Sequence, residues 1–96
     1  MTVERDFSSP RPNLIVGPGF SVEVLGRTGL RYTEGEKVML IDSEVLAGTG
    51  IALYQASMLR WERPSTLGPP GPEERVRIIG NIRRAFEFKG DVLQVI

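Results

Sequence analysis

The sequence predicts an α+β fold in which an antiparallel β-meander of about five or six strands carries one long C-terminal helix and closes with a short final strand. Three observations carry this expectation. Between Phe20 and Tyr54 apolar residues recur mostly with the period of two of a strand, broken at Gly35 and at Gly48-Thr49-Gly50. After Pro72 the spacing changes to that of an amphipathic helix. From Asp91 to Ile96 an apolar stretch returns after Gly90. At 96 residues the chain is one domain with one modest core, and the expected division is a loose arm over residues 1–19 followed by a single α+β domain over 20–96.

Taken in order, Met1 to Gly19 is punctuated by Pro10, Pro12, Gly17, Pro18 and Gly19, leaving Leu14-Ile15-Val16 as the one candidate edge strand of the arm. Phe20, Val22 and Val24 alternate with Ser21 and Glu23 as a strand. Leu30 to Thr33 and Lys37 to Ile41 flank Glu34-Gly35-Glu36 as a hairpin in which Gly35 takes a positive φ. The run Val38-Met39-Leu40-Ile41 is apolar on both faces, which predicts a strand covered on both sides or central in the sheet. Ile51 to Tyr54 and Met58 to Glu62 are read as two further strands, the latter with Leu59 and Trp61 on one face and with a helix as the competing reading.

Four prolines and two glycines between Pro64 and Pro72 make a connector, and Pro72 suits a first helical position with Glu73 and Glu74 at the positive end of the helix dipole. The helix is expected from about Pro72 to Glu87 or Phe88. Its buried stripe is Ile79, Ile82 and Phe86, widened by Val76, Ile78 and Ala85, with Arg77, Gly80, Asn81, Arg84 and Glu87 outward.

Composition narrows function. The chain contains no histidine and no cysteine, so the near-neutral proton shuttle, thiol nucleophiles and the commonest metal ligands are missing. The expectation is a non-enzymatic binding module without cofactor or metal. Twelve basic residues balance twelve acidic ones, a poor match to nucleic acid. That balance also gives little colloidal protection, which leaves a homodimer open. No apolar run approaches the length of a membrane span, so the sequence points to a soluble, cytoplasmic protein.

Individual motifs add little chemistry. Asp42 and Glu44 share a strand face, but two carboxylates are too few donors for a hard-cation site and read as a solvated strand end able to meet a basic partner. Neither Gly17-Pro18-Gly19 nor Gly48-Thr49-Gly50 has the remainder of a phosphate-binding loop. Arg27 and Arg31 have the Arg-x-x-x-Arg spacing that opens the cyclic-dinucleotide site of PilZ domains, while Asp42 to Gly48 departs from the downstream half of that motif. A cyclic-dinucleotide regulatory domain is therefore the alternative reading. Arg77 and Arg84, seven apart, form a short basic stripe that Glu73 can neutralise at one end.

Read together, Tyr32-Thr33-Glu34-Gly35, Ile41 to Leu46, Tyr54, Arg60-Trp61-Glu62-Arg63-Pro64 and Glu74 to Phe86 resemble the immunity protein 74 family. The likeness covers about Phe20 to Ile96 and lies in the order of the pieces. It implies a small bacterial protein that binds a cognate polymorphic toxin and protects the producing cell by contact. For the contact surface the sequence singles out Asp42, Glu44, Tyr54, Trp61, Glu62 and Arg84.

Overall fold

A computed structural model describes residues 6–96. Seven strands form one curled sheet in chain order: β1 (Ser8–Arg11), β2 (Leu14–Gly17), β3 (Phe20–Val24), β4 (Thr28–Glu34), β5 (Lys37–Val45), β6 (Gly50–Leu53) and β7 (Val92–Val95). The first six pair antiparallel with their neighbours, and α1 (Pro72–Phe88) carries the chain back so that β7 lies parallel to β6. This is the α+β architecture expected from the sequence.

The register sorts side chains onto two faces. Val22, Tyr32 and Met39 lie side by side, as do Val24, Leu30 and Ile41, and these rows point inward with Ile15 and Leu53. Helix α1 lies over them and contributes Ile78, Ile82, Ala85 and Phe86 to the same cluster. Each large side chain buried there contributes roughly 1.5–3 kcal/mol relative to exposure. The other face carries Arg11, Glu23, Arg31, Leu40, Asp42 and Glu44, and α1 leaves it bare.

Local chemistry explains the boundaries. The β4–β5 hairpin closes through Gly35 and Glu36, with Glu34 opposite Lys37 and Gly35 at φ +62°, as a primed turn requires at its first position. Helix α1 starts at Pro72 and ends in a Schellman arrangement. Gly90 adopts φ +86°, its N–H bonds the Glu87 carbonyl at 3.0 Å, and the Asp91 N–H bonds the Phe86 carbonyl at 2.8 Å.

Three expectations require correction. The N-terminal arm is not loose from residue 8 onward, because β1 and β2 form a hairpin that extends the sheet, and the boundary expected at residue 20 falls between two paired strands. Phe7 fixes this hairpin by packing on Phe20 and Phe88, with ring centroids 6.0 and 5.6 Å apart, a contact invisible in a Pro- and Gly-rich stretch. Strand β5 lies inside the sheet, between β4 and β6, which meets the first of the two arrangements expected for its doubly apolar run; Leu40 remains 43% exposed on its outer side.

Met58 to Glu62 is not a strand. A 3-10 turn at Gln55–Ser57 sends Met58 and Trp61, three residues apart, into the core and leaves Leu59 and Arg60 outside. This segment runs beside the first half of β5 with a single bridge from Arg63 to Val38. Finally, α1 is turned about its axis relative to the expected stripe. Val76 is 72% exposed and Asn81 is buried.

The close approach at β2 is testable. A Cβ on Gly17 would stand 2.7 Å from Phe7 Cε1 and 2.8 Å from Phe20 Cζ, whereas one on Gly80 meets nothing within 4 Å. Urea denaturation should show Gly17→Ala losing about 1–3 kcal/mol. In the same assay Gly80→Ala should gain about 0.5–1 kcal/mol by helix propensity.

Candidate functional site

Two groups of polar residues lie on opposite sides of the sheet. The first sits under α1. Burial of the Tyr32 ring within the core demands partners for its hydroxyl, and it has two: it donates to Glu34 Oε2 at 2.9 Å and accepts from Asn81 Nδ2 at 2.9 Å. Glu34 in turn accepts two bonds from Arg77, from Nε at 3.1 Å and Nη2 at 2.8 Å. Lys37 Nζ stands 3.5 Å from Glu34, 3.6 Å from Glu74 and 4.8 Å over the Trp61 ring. Arg84 donates to Asn81 Oδ1 and extends the chain of bonds to the helix surface.

Burial pushes the Tyr32 hydroxyl well above its ordinary value, with the Asn81 bond opposing and Glu34 reinforcing the change. For Glu34, burial alone would raise the carboxyl, but the bonds from Arg77 and Tyr32 and the charges of Arg77 and Lys37 outweigh it and hold the group below 4.5. Among the described residues no buried side-chain nitrogen or oxygen lacks a partner. The network is therefore committed to holding helix and sheet together, with Tyr32 kept protonated and Glu34 kept charged.

The second group lies on the uncovered face. Leu40, Asp42, Tyr54, Ala56, Ser57, Leu59 and Glu62 line an open depression of about 660 Å³. Strand β5 presents Leu40, Asp42 and Glu44 in succession on this side, and the turn after β6 brings Tyr54 and Ser57 against them. Ser57 Oγ accepts from the Asp42 N–H at 2.8 Å and donates to the Tyr54 carbonyl at 2.6 Å, which ties the turn to β5. Tyr54 donates its hydroxyl to Glu44 Oε1 at 2.9 Å, and that carboxylate raises the proton affinity of the phenol. Leu40 and Leu59 are 43% and 65% exposed, so an apolar centre is bordered by Asp42, Glu44 and Glu62, with Arg60 3.8 Å from Glu62 at the rim.

Of the six residues singled out from the sequence, the fold brings Asp42, Tyr54 and Glu62 into this depression and sets Glu44 beside it. Trp61 is buried against Tyr32 and Lys37 and does not present a surface anchor. Arg84 lies on α1, across the sheet from the other four, and is bonded to Asn81. Leu40 and Leu59 were missed as surface residues. The signal for Leu40 was its parity, out of step with Met39 and Ile41; Leu59 gave none, because its segment follows no strand period.

The remaining cationic motifs are engaged. Arg31 Nη1 bonds Glu23 Oε1 at 2.7 Å, so the Arg27/Arg31 pair is not a free pair of guanidinium groups. Arg77 is neutralised by Glu34 and Glu74 rather than by Glu73. Among the described residues no three acidic side chains converge as a metal site. Among the described residues no helix is long and apolar enough to cross a membrane. The chain matches no protein-family model, no characterised protein and no solved structure.

The Glu34 cluster has a signed pH consequence. A carboxylate held below its ordinary value stabilises the fold above pH ~4.5, and that stabilisation is lost as pH falls through the folded value. Arg77→Gln removes the principal opposing bonds and should let burial raise the Glu34 carboxyl. Urea midpoints measured from pH 7 to pH 3 should fall steeply for the unmodified protein on the acid side. The Arg77→Gln variant should start lower at pH 7 and lose less on acidification; parallel curves would contradict the assignment.

Proposed function

We propose that this chain is a non-catalytic binding protein of the cytoplasm that neutralises a cognate bacterial toxin by direct contact, and that the depression around Leu40 and Leu59 is its docking surface. The observation that supports this reading most is the pairing of two exposed leucines with three carboxylates on the one sheet face that α1 leaves bare. An apolar centre within a charged rim is the anatomy of a protein-binding patch. The acids specify a partner of opposite sign, a toxin segment with an apolar side chain flanked by lysine or arginine.

The sequence resemblance to the immunity protein 74 family agrees in kind with such a role, and so does a chain without histidine or cysteine. The mechanism is occlusion. The sheet supplies a preformed surface, so little ordering entropy opposes docking. The carboxylates speed and orient the encounter, while the leucines exclude water at its centre.

Co-expression with the toxin encoded beside it should restore growth and give a complex that co-purifies. Soluble proteins that do neither would contradict the reading. Within the complex, Glu44→Lys combined with Glu62→Lys should weaken affinity by about 10- to 100-fold and flatten its dependence on salt. Arg11→Glu, on the same face but at the far edge of the sheet, should leave affinity unchanged. Equal affinity for the double variant would move the contact off this surface.

A further inference from the structure

The two edges of the sheet are built differently. Strand β1, Ser8-Ser9-Pro10-Arg11, contains a proline, an arginine and a register irregularity, all of which discourage another strand from adding to it. Strand β7, Val92-Leu93-Gln94-Val95, contains none of these and is terminal in the sheet. Its register against β6 fixes which backbone groups are free. The Val92 N–H bonds Thr49 and the Ile96 N–H bonds Leu53, both at 2.8 Å, so residues 92, 94 and 96 face β6. Leu93 and Val95 therefore turn their N–H and C=O groups to the outer edge, where no strand among the described residues pairs with them.

We propose that this edge is a homodimer interface in which β7 pairs antiparallel with β7 of a second copy about a twofold axis at Gln94. The segment is complementary to itself in that register. Leu93 faces Val95 of the other copy and Val95 faces Leu93, which are the residues with outward backbone groups and form the hydrogen-bonded pairs. Gln94 meets its own equivalent in the close, non-hydrogen-bonded position, where two amides can bond to each other. Val92, 60% exposed, meets Ile96, 58% exposed, so the two large apolar side chains left bare at this edge cover one another.

A register shifted by one residue would place outward backbone groups against residues already bonded to β6. The twelve acidic and twelve basic residues cancel, so long-range repulsion between copies is absent. The contact is small and of the weak, reversible class. It joins two sheets into one while leaving each depression at Leu40 open, and it is independent of the proposed toxin docking.

Sedimentation velocity over a concentration series up to ~500 µM, the range in which small interfaces associate, should show a monomer–dimer equilibrium. Gln94 is exposed on the outer face, so Gln94→Lys and Gln94→Glu should fold normally, and circular dichroism checks that they do. Each variant alone places like charges opposite each other at the axis and should weaken dimerisation at least tenfold, whereas an equimolar mixture of the two should restore it. Amide exchange at Leu93 and Val95 should slow as wild-type concentration rises. A wild-type protein that stays monomeric throughout would overturn the proposal, as would a dimer indifferent to charge at residue 94. Protection of Leu93 and Val95 that arises only on adding a different protein would assign the edge to a partner's strand and equally overturn it.

Discussion

The hydroxyl of Tyr32 decides how the helix sits on the sheet. The ring lies at the middle of the concave face, in contact with Phe20 and Trp61, and its position in β4 next to Met39 of β5 leaves it no route to solvent. A buried phenol needs hydrogen-bond partners, and leaving one unmade costs ~1–3 kcal/mol. Glu34 accepts a hydrogen bond from the hydroxyl on one side and Asn81 donates one to it from the other. The second bond spans 49 residues of sequence and joins helix to strand, so it sets the rotation of α1 as well as its position.

The rest of the core follows from that rotation. With Asn81 facing inward, Ile78, Ile82, Ala85 and Phe86 fall over the inner rows of the sheet, Phe88 reaches Phe7, and Val76 is left in solvent. Arg77 arrives beside Glu34 and binds it through Nε and Nη2. One helix thereby covers one face of the sheet and leaves the other bare. The depression at Leu40 and Leu59 is what a single-layered helix cover leaves behind, and the turn at Gln55–Ser57 deepens it.

Much of this was legible in the sequence because it is governed by local rules. Strand β3, the hairpin at Gly35, the turn at Gly48 and the helix from Pro72 each rest on period, turn chemistry or capping within a few residues. The misses have one physical origin, in long-range pairing. Asn81 looks like a solvent residue until Tyr32 is known to lie beneath it. The hairpin of β1 and β2 looks like a loose arm until Phe7 is seen against Phe88. Met58 and Trp61 are drawn inward by the space beside β5, and no strand period in their own segment announces it. At the candidate site the carboxylates and Tyr54 were found from residue type and spacing, whereas the leucines between them were not, since their exposure depends on which face the helix takes.

A double-mutant cycle between Tyr32→Phe and Asn81→Leu, read by urea denaturation, measures the bond from which this arrangement follows. Because Glu34 still accepts from Tyr32 when Asn81 is replaced, the cycle isolates the contact between helix and strand. A coupling of about 1 kcal/mol or more is expected for a buried hydrogen bond of this kind. Additive losses, within about 0.3 kcal/mol, would mean that apolar packing alone orients α1 and would contradict the role given to Tyr32.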